Sequence, residues 1–160
     1  MIKPNVKPMN NSIYPKIKPD AVYGGMKVLT GNEERRLEDI LQENRPTGND
    51  FVDLFASLVR RYGNRQVITY AKMMGLEPRL LMASMVAMSG MGAREWLCEY
   101  LRLASCDLLA NTDWPISEVG RILGFTSAGS FNQFFSRQQK AQPYEWRCLS
   151  HGHRRRYHFS

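Results

Sequence analysis

Residues 108–147 read LLANTDWPISEVGRILGFTSAGSFNQFFSRQQKAQPYEWR, and the spacing inside this stretch decides the fold. Ile116, Gly120 and Gly124 stand four apart, and Phe131 and Phe135 stand four apart again. Residues at that interval share one helix face. Gly120 lets a second helix cross the first at short range, and Gly124 permits a tight turn with positive φ. Thr126-Ser127 then opens the second helix, with Ser127 as its cap. The two phenylalanines pin that helix to a core. Helix, tight turn, capped helix: the pattern is that of a helix-turn-helix.

The same pattern occurs earlier in the chain. Val67, Ala71 and Gly75 precede Ile116, Gly120 and Gly124 by 49 residues. Leu81, Met85 and Trp96 precede Phe131, Phe135 and Trp146 by 50. The one-residue change falls in the turn after the glycine, where an insertion is tolerated. Glu77-Pro78 opens the second helix of this copy, with proline at a favoured early position. Any compact helical hairpin can imitate one such pattern, whereas two copies at matched spacing indicate a tandem duplication. Between them, residues 93–111 (AREWLCEYLRLASCDLLAN) form the longest uninterrupted helical stretch. Trp96, Leu97, Tyr100, Leu101, Ala104, Leu108 and Leu109 make its apolar stripe.

Over Leu108–Arg147 the sequence resembles the AraC/XylS family of bacterial transcription regulators. The resemblance rests on Leu108-Leu109, Pro115-Ile116, Val119, Gly124-Phe125, Phe131, Phe135, Pro143 and the closing pair Trp146-Arg147. More loosely it extends over residues 51–148. It implies two helix-turn-helix subdomains joined by a long helix, here residues 93–111. A helix of about 18 residues spans about 27 Å. That length suits two recognition helices about one turn of B-DNA, roughly 34 Å, apart on one face of the duplex. The chain departs from the family where a glycine usually ends the second recognition helix and Lys140 stands instead.

The expected DNA-binding residues follow. In the second recognition helix, running from about Ser127 to Gln138, the outward positions are Ala128, Gly129, Ser130, Asn132, Gln133 and Arg137. Asn132 and Gln133 suit adenine edges. Ser127, Ser130, Ser136 and Arg137 suit phosphates. Lys140 fits a looser helix end or a further phosphate contact, and Arg147 joins the set through the closing motif. The first recognition helix, PRLLMASMVAM from Pro78, turns Leu81, Met85 and Met88 to the core. Its outward positions are Arg79, Met82, Ala83, Val86 and Ala87, of which only Arg79 is charged. Three readings of that face stand open. It touches DNA weakly through Arg79, with methyl contacts from residues such as Met82 and Ala83. It is an adaptable, Met-rich protein-binding surface. Or it is covered by the chain's own N-terminal helix, through Leu37, Ile40 and Leu41.

Composition agrees with a nucleic-acid partner. The chain has 160 residues, 43% hydrophobic, with 22 Lys+Arg against 15 Asp+Glu and a net charge of +7. Residues 1–50, 51–110 and 111–160 carry net +1, +2 and +4, so the basic excess sits in the C-terminal third. Double-stranded DNA is the expected partner, with RNA polymerase or another regulator as further candidates. Mean hydropathy is −0.42, and no apolar run approaches the roughly 18 residues of a membrane span. A cytoplasmic, nucleoid-associated protein is expected. Cys98, Cys106 and Cys148 fit no CxxC spacing and read as reduced thiols. No GxSxG, P-loop or HExxH motif occurs, so neither an enzyme nor a cofactor is expected.

The termini read differently. Residues 1–25 contain Pro4, Pro8, Pro15 and Pro19 and suggest an extended, mobile arm without helix. The segment Asn32–Asn44 suggests a short helix with Asn32 as cap, Glu33 and Glu34 in its first turn, and Leu37, Ile40 and Leu41 as its apolar face. At the other end, Cys148, His151, His153 and His158 with Arg154-Arg155-Arg156 read as a disordered basic tail rather than a metal site. Trp96, Trp114 and Trp146 read as packing residues. The expectation is thus an all-α chain: an arm and short amphipathic helix (1–48), a first helix-turn-helix (49–92), a linker helix (93–111), a second helix-turn-helix (112–149) and a tail (150–160).

Overall fold

The computed structural model describes residues 16–28 and 36–159, with side chains through His151. Residues 1–15, Asn32, Glu33 and Glu34, and the side chains of His153, Arg154, Arg155, Arg156 and His158, lie outside the described part. The described residues form helices α1 (Pro19–Val22), α2 (Leu37–Ile40), α3 (Asp50–Tyr62), α4 (Val67–Met73), α5 (Pro78–Ser89), α6 (Ala93–Asn111), α7 (Ile116–Ile122), α8 (Ala128–Gln139) and α9 (Pro143–Phe159). Among them the one β contact is an isolated antiparallel bridge between Met26 and Leu41. The all-α expectation holds.

The duplication is visible in the backbone. Helices α4 and α7 each have seven residues and start 49 apart; α5 and α8 each have twelve and start 50 apart. The two turns close alike. The Leu76 amide donates to the Ala71 carbonyl at 2.8 Å, and the Phe125 amide to the Gly120 carbonyl at 2.9 Å. Gly75 and Gly124, at φ 70° and 95°, hold the left-handed position that such helix ends require. A Cβ on Gly120 would stand 2.8 Å from the Phe131 Cβ. Close crossing of α7 and α8 therefore depends on the missing side chain.

Helix α6 runs between the units and is buried from Ala93 to Leu109 along the stripe read from sequence. In the first unit Trp96 stacks on Tyr100 and meets Phe55, which meets Tyr70 edge-on. In the second, Phe125, Phe131, Phe134 and Phe135 cluster, and Trp146 meets Phe135 edge-on. Trp96 is fully buried, and Trp114 and Trp146 pack partly buried against the core. Helix α3 is capped by Asn49, whose Oδ1 accepts from the amides of Phe51 and Val52. Asp50 and Asp53 sit in its first turn and Arg60 and Arg61 in its last, each favourable to the helix dipole.

The N-terminal expectations need correction. Residues 16–28 are a strap bound to the body, not a free arm, and Pro19 opens the turn of helix α1. Proline lacks an amide hydrogen that the first helical position does not use, so proline here starts a helix rather than excluding one. Val22 and Tyr23 are buried. The Trp96 indole donates to the Ile17 carbonyl at 3.0 Å, and the Tyr23 hydroxyl to Asp107 at 2.6 Å. The second helix is also shorter than expected: α2 ends at Ile40, and Leu41 is already extended at ψ 144°. Two sets of tertiary bonds stop it. The Lys27 amide of the strap donates to the Ile40 carbonyl and the Gln42 amide to the strap's Gly25 carbonyl, and the Arg60 guanidinium takes the carbonyls of Glu38, Leu41 and Gln42. At the C-terminus α9 continues to Phe159, so the backbone expected as a disordered tail from residue 150 is helical.

Candidate nucleic-acid interface

Helix α8 starts where the sequence placed its cap. The Ser127 hydroxyl accepts from the Ser130 amide at 3.1 Å, and the Ser130 hydroxyl accepts from the Ser127 amide at 3.3 Å, a reciprocal capping box. The Ser130 hydroxyl also donates to the Ser127 carbonyl at 2.8 Å. Both hydroxyls expected on phosphates are therefore engaged in starting the helix. Ala128 and Gly129 are exposed in its first turn. Phe131, Phe134 and Phe135 are buried on the opposite side, which fixes the rotation of α8.

That rotation brings Asn132, Gln133, Ser136 and Arg137 together. With Gln142, from the turn after α8, they line one shallow groove open to solvent. Gln142 was not singled out from sequence, because it lies beyond the helical period; only the fold of the turn brings it back beside α8. The Asn132 Oδ1 and Ser136 Oγ are buried and have no hydrogen-bond partner among the described residues. Buried polar atoms without a partner call for a water or a ligand group to satisfy them. Lys140 ends the helix in the left-handed region, φ 60° and ψ 31°.

Arg147 lies elsewhere. Its Nε donates to the Leu109 carbonyl at 3.0 Å and its Nη1 to the Trp114 carbonyl at 2.6 Å. Burial lowers its pKa from the usual arginine range. The guanidinium thus ties α9 to the end of α6, a packing task that the linear sequence does not reveal. Beside it, the His151 Nδ1 approaches Asp113 at 3.7 Å. Burial pushes the Cys106 thiol up to about 11 and raises Cys98 as well, as expected of unreactive thiols.

In the first unit Leu81 and Met85 are buried and Met88 partly so, as their spacing predicts. Arg79, Met82, Ala83, Val86 and Ala87 are exposed, joined by Leu80. Leu80, Met82 and Val86 expose 52%, 42% and 51% of their surface. The third reading of this face is overturned: Leu37, Ile40 and Leu41 are buried in the core beside α3, not on α5. What reaches α5 is the strap, at the helix end only. The Lys16 and Lys18 ammonium groups donate to the carbonyls of Ala87 and Ser89, and the Ile17 amide to Met88.

Comparison with known proteins agrees with this architecture. A helix-turn-helix domain family model matches residues 70–148. The search of curated proteins finds no match. Among solved structures, the DNA-binding domain of AdpA, a global transcriptional factor in complex with a target DNA, is 22% identical with a TM-score of 0.57; the match covers 66% of this chain and 93% of that one. An AraC-type transcriptional regulator from Chromobacterium violaceum is 18% identical with a TM-score of 0.53, covering 64% and 94%. The C-terminal domain of the response regulator yesN from Fusobacterium nucleatum is 15% identical with a TM-score of 0.57, covering 62% and 99%. At these identities the likeness establishes the fold.

Proposed function

Through residues 70–148 the chain belongs to the AraC-type helix-turn-helix family, and from this premise we propose that it is a sequence-specific DNA-binding transcription regulator that sets α5 and α8 into successive major grooves of promoter DNA. The observation that carries the reading is the matched pair of units on one rigid helix. The 19 residues of α6 span about 28 Å, near the pitch of the duplex.

In this reading Asn132 and Gln133 read base edges, with adenine the best match for an amide side chain. Ser136, Arg137 and Lys140 hold phosphates, and the exposed first turn at Ala128 and Gly129 lets the duplex approach closely. Ser127 and Ser130 orient that turn through the capping box. In the first unit, Arg79 takes a phosphate while Met82 and Ala83 meet thymine methyls. The domain limits are those read from sequence, with the strap added to the first unit and the last helix to the second. RNA polymerase or another regulator is the further partner.

A second reading has its own support. The exposed apolar face of α5 at Leu80, Met82 and Val86 suits a protein partner better than a phosphate backbone. Selection of bound fragments from sheared host genomic DNA at about 150 mM salt separates the two. Two enriched segments about one helical turn apart support use of both units. One short segment assigns α5 to a protein partner, and no enrichment overturns the DNA-binding reading.

A further inference from the structure

The two units are joined at a seam between the turn after α3 and the turn before α8. The Asn64 amide, in the turn after α3, donates to the Leu123 carbonyl at 2.8 Å, in the turn before α8. Gly63 lies directly against the same carbonyl. Arginines cluster here. Arg94, in the first turn of α6, donates to the Asn64 side chain at 2.9 Å and toward the Arg65 carbonyl at 3.4 Å. The Arg65 guanidinium bonds the Asn64 carbonyl at 3.0 Å and would stand 2.9 Å from a Cβ on Gly124. Arg94 and, from α8, Arg137 both lower the pKa of the Cys98 thiol against the effect of burial. The turn after α3 and the first turn of α6 thus bring Arg65 and Arg94 together. Both are exposed, and neither forms an ion pair with a described residue. The arginines that do pair, Arg61, Arg102 and Arg121, each have a carboxylate within 4.0 Å.

Resting on the DNA-binding reading above, we propose that Arg65 and Arg94 form a phosphate clamp at the seam, gripping the DNA backbone where it crosses between the two major grooves. In the proposed docking a backbone is expected there. Two helices in successive major grooves on one face of a duplex flank one minor groove, whose bordering phosphates pass the region between the units. Arg137 stands apart from the Arg65 and Arg94 pair and lines the α8 groove. Guanidinium groups suit phosphate oxygens, which they can grip with two parallel hydrogen bonds. A clamp on phosphates carries no sequence information and sets register and orientation. It also supplies cations that the α5 face lacks.

The test is the salt dependence of binding to a 30-base-pair mixed-sequence duplex, followed by fluorescence anisotropy on the full chain. For each phosphate that the protein no longer neutralises, the slope of log K against log salt flattens by about 0.9. Arg65→Ala is expected to flatten it by about one phosphate's worth and Arg65→Ala/Arg94→Ala by about two, with the same relative weakening on any duplex sequence. Arg94→Lys, which keeps the charge, retains the slope. Arg61→Ala, outside the seam and paired with Glu38, serves as control and leaves it unchanged. Because Arg94 also bonds the α3–α4 turn, thermal melting is measured for every variant. A folded double variant with the wild-type slope overturns the clamp alone, and a wild-type chain with no salt-dependent binding overturns the DNA-binding reading with it.

Discussion

Gly90 and Lys140 occupy one position in the two units: each follows the recognition helix by one residue, 50 residues apart, in the left-handed region at φ 77° and 60°. Among the described residues Lys140 is the one non-glycine with positive φ. The left-handed conformation costs a residue with a Cβ roughly 1 kcal/mol. Lys140→Gly is therefore expected to stabilise the fold by about 0.5–1 kcal/mol in denaturant melts. If Lys140 also holds a phosphate, the same variant binds DNA more weakly, and its salt slope is shallower by about 0.9. Stability and affinity then move in opposite directions. A variant that loses stability overturns the assignment of strain.

The two units exchange volume at another matched pair. Gly120 and Phe131 in the second unit correspond to Ala71 and Leu81 in the first. A methyl on Gly120 would meet the Phe131 Cβ at 2.8 Å and its ring carbon at 3.1 Å. Gly120→Ala is expected to destabilise by about 1–3 kcal/mol, as overpacked cores do. Reducing the ring in Gly120→Ala/Phe131→Leu reproduces the first unit's pair and should recover part of that stability. Strict additivity of the two substitutions in a double-mutant cycle would mean that the contact is not what sets their size.

The recognition helices should contribute unequally. Gln133→Ala is expected to weaken binding by about 1–3 kcal/mol and relax preference at one base pair. Arg137→Ala should weaken binding evenly across sequences. Met82→Ala should cost less than either, because its side chain brings neither charge nor hydrogen bond to the groove. Anisotropy titrations with a selected fragment measure all three. If Met82→Ala alone abolished binding in a folded chain, the asymmetry between α5 and α8 would be wrong.

Buried phenols make the fold sensitive to alkali. Burial, and for Tyr23 the hydrogen bond to Asp107, raises the pKa of Tyr23, Tyr70 and Tyr100 above the ordinary tyrosine value of 10.0. The folded state then holds these protons when the unfolded chain has released them. Their contribution to stability is fully present below about pH 10 and falls as pH rises through the raised folded values. Urea melts at rising pH should show this decline. Tyr23→Phe should decline less steeply, while starting about 1–3 kcal/mol lower at pH 7, because Asp107 loses a donor. Equal slopes for the two proteins would remove Tyr23 from the effect.

The candidate groove was legible in part. Asn132, Gln133, Ser136 and Arg137 were found by helical period alone, since the phenylalanines at 131 and 135 fix which side of α8 faces out. Gln142, Arg65 and Arg94 were not, because each reaches its place through a turn or a seam. Ser127 and Arg147 carried the right chemistry and went to other tasks: the serine hydroxyl to its own helix start, the guanidinium to carbonyls of Leu109 and Trp114.

By itself the sequence determined the two helix-turn-helix units, their 49- and 50-residue offsets, the linker helix from Ala93 to Asn111 and the buried face of each. Those features depend on interactions within a few residues: helical period, glycine at left-handed turns, a serine cap. Tertiary structure alone decided that residues 16–28 strap the first unit, that α2 stops at Ile40, and that α9 is anchored by Arg147. It also decided that Arg65 and Arg94, from two elements, meet at the seam between the units. These depend on partners tens of residues away, such as Ile17 with Trp96 or Tyr23 with Asp107. No local period encodes a hydrogen bond of that range, because whether it forms depends on how the helices have already packed.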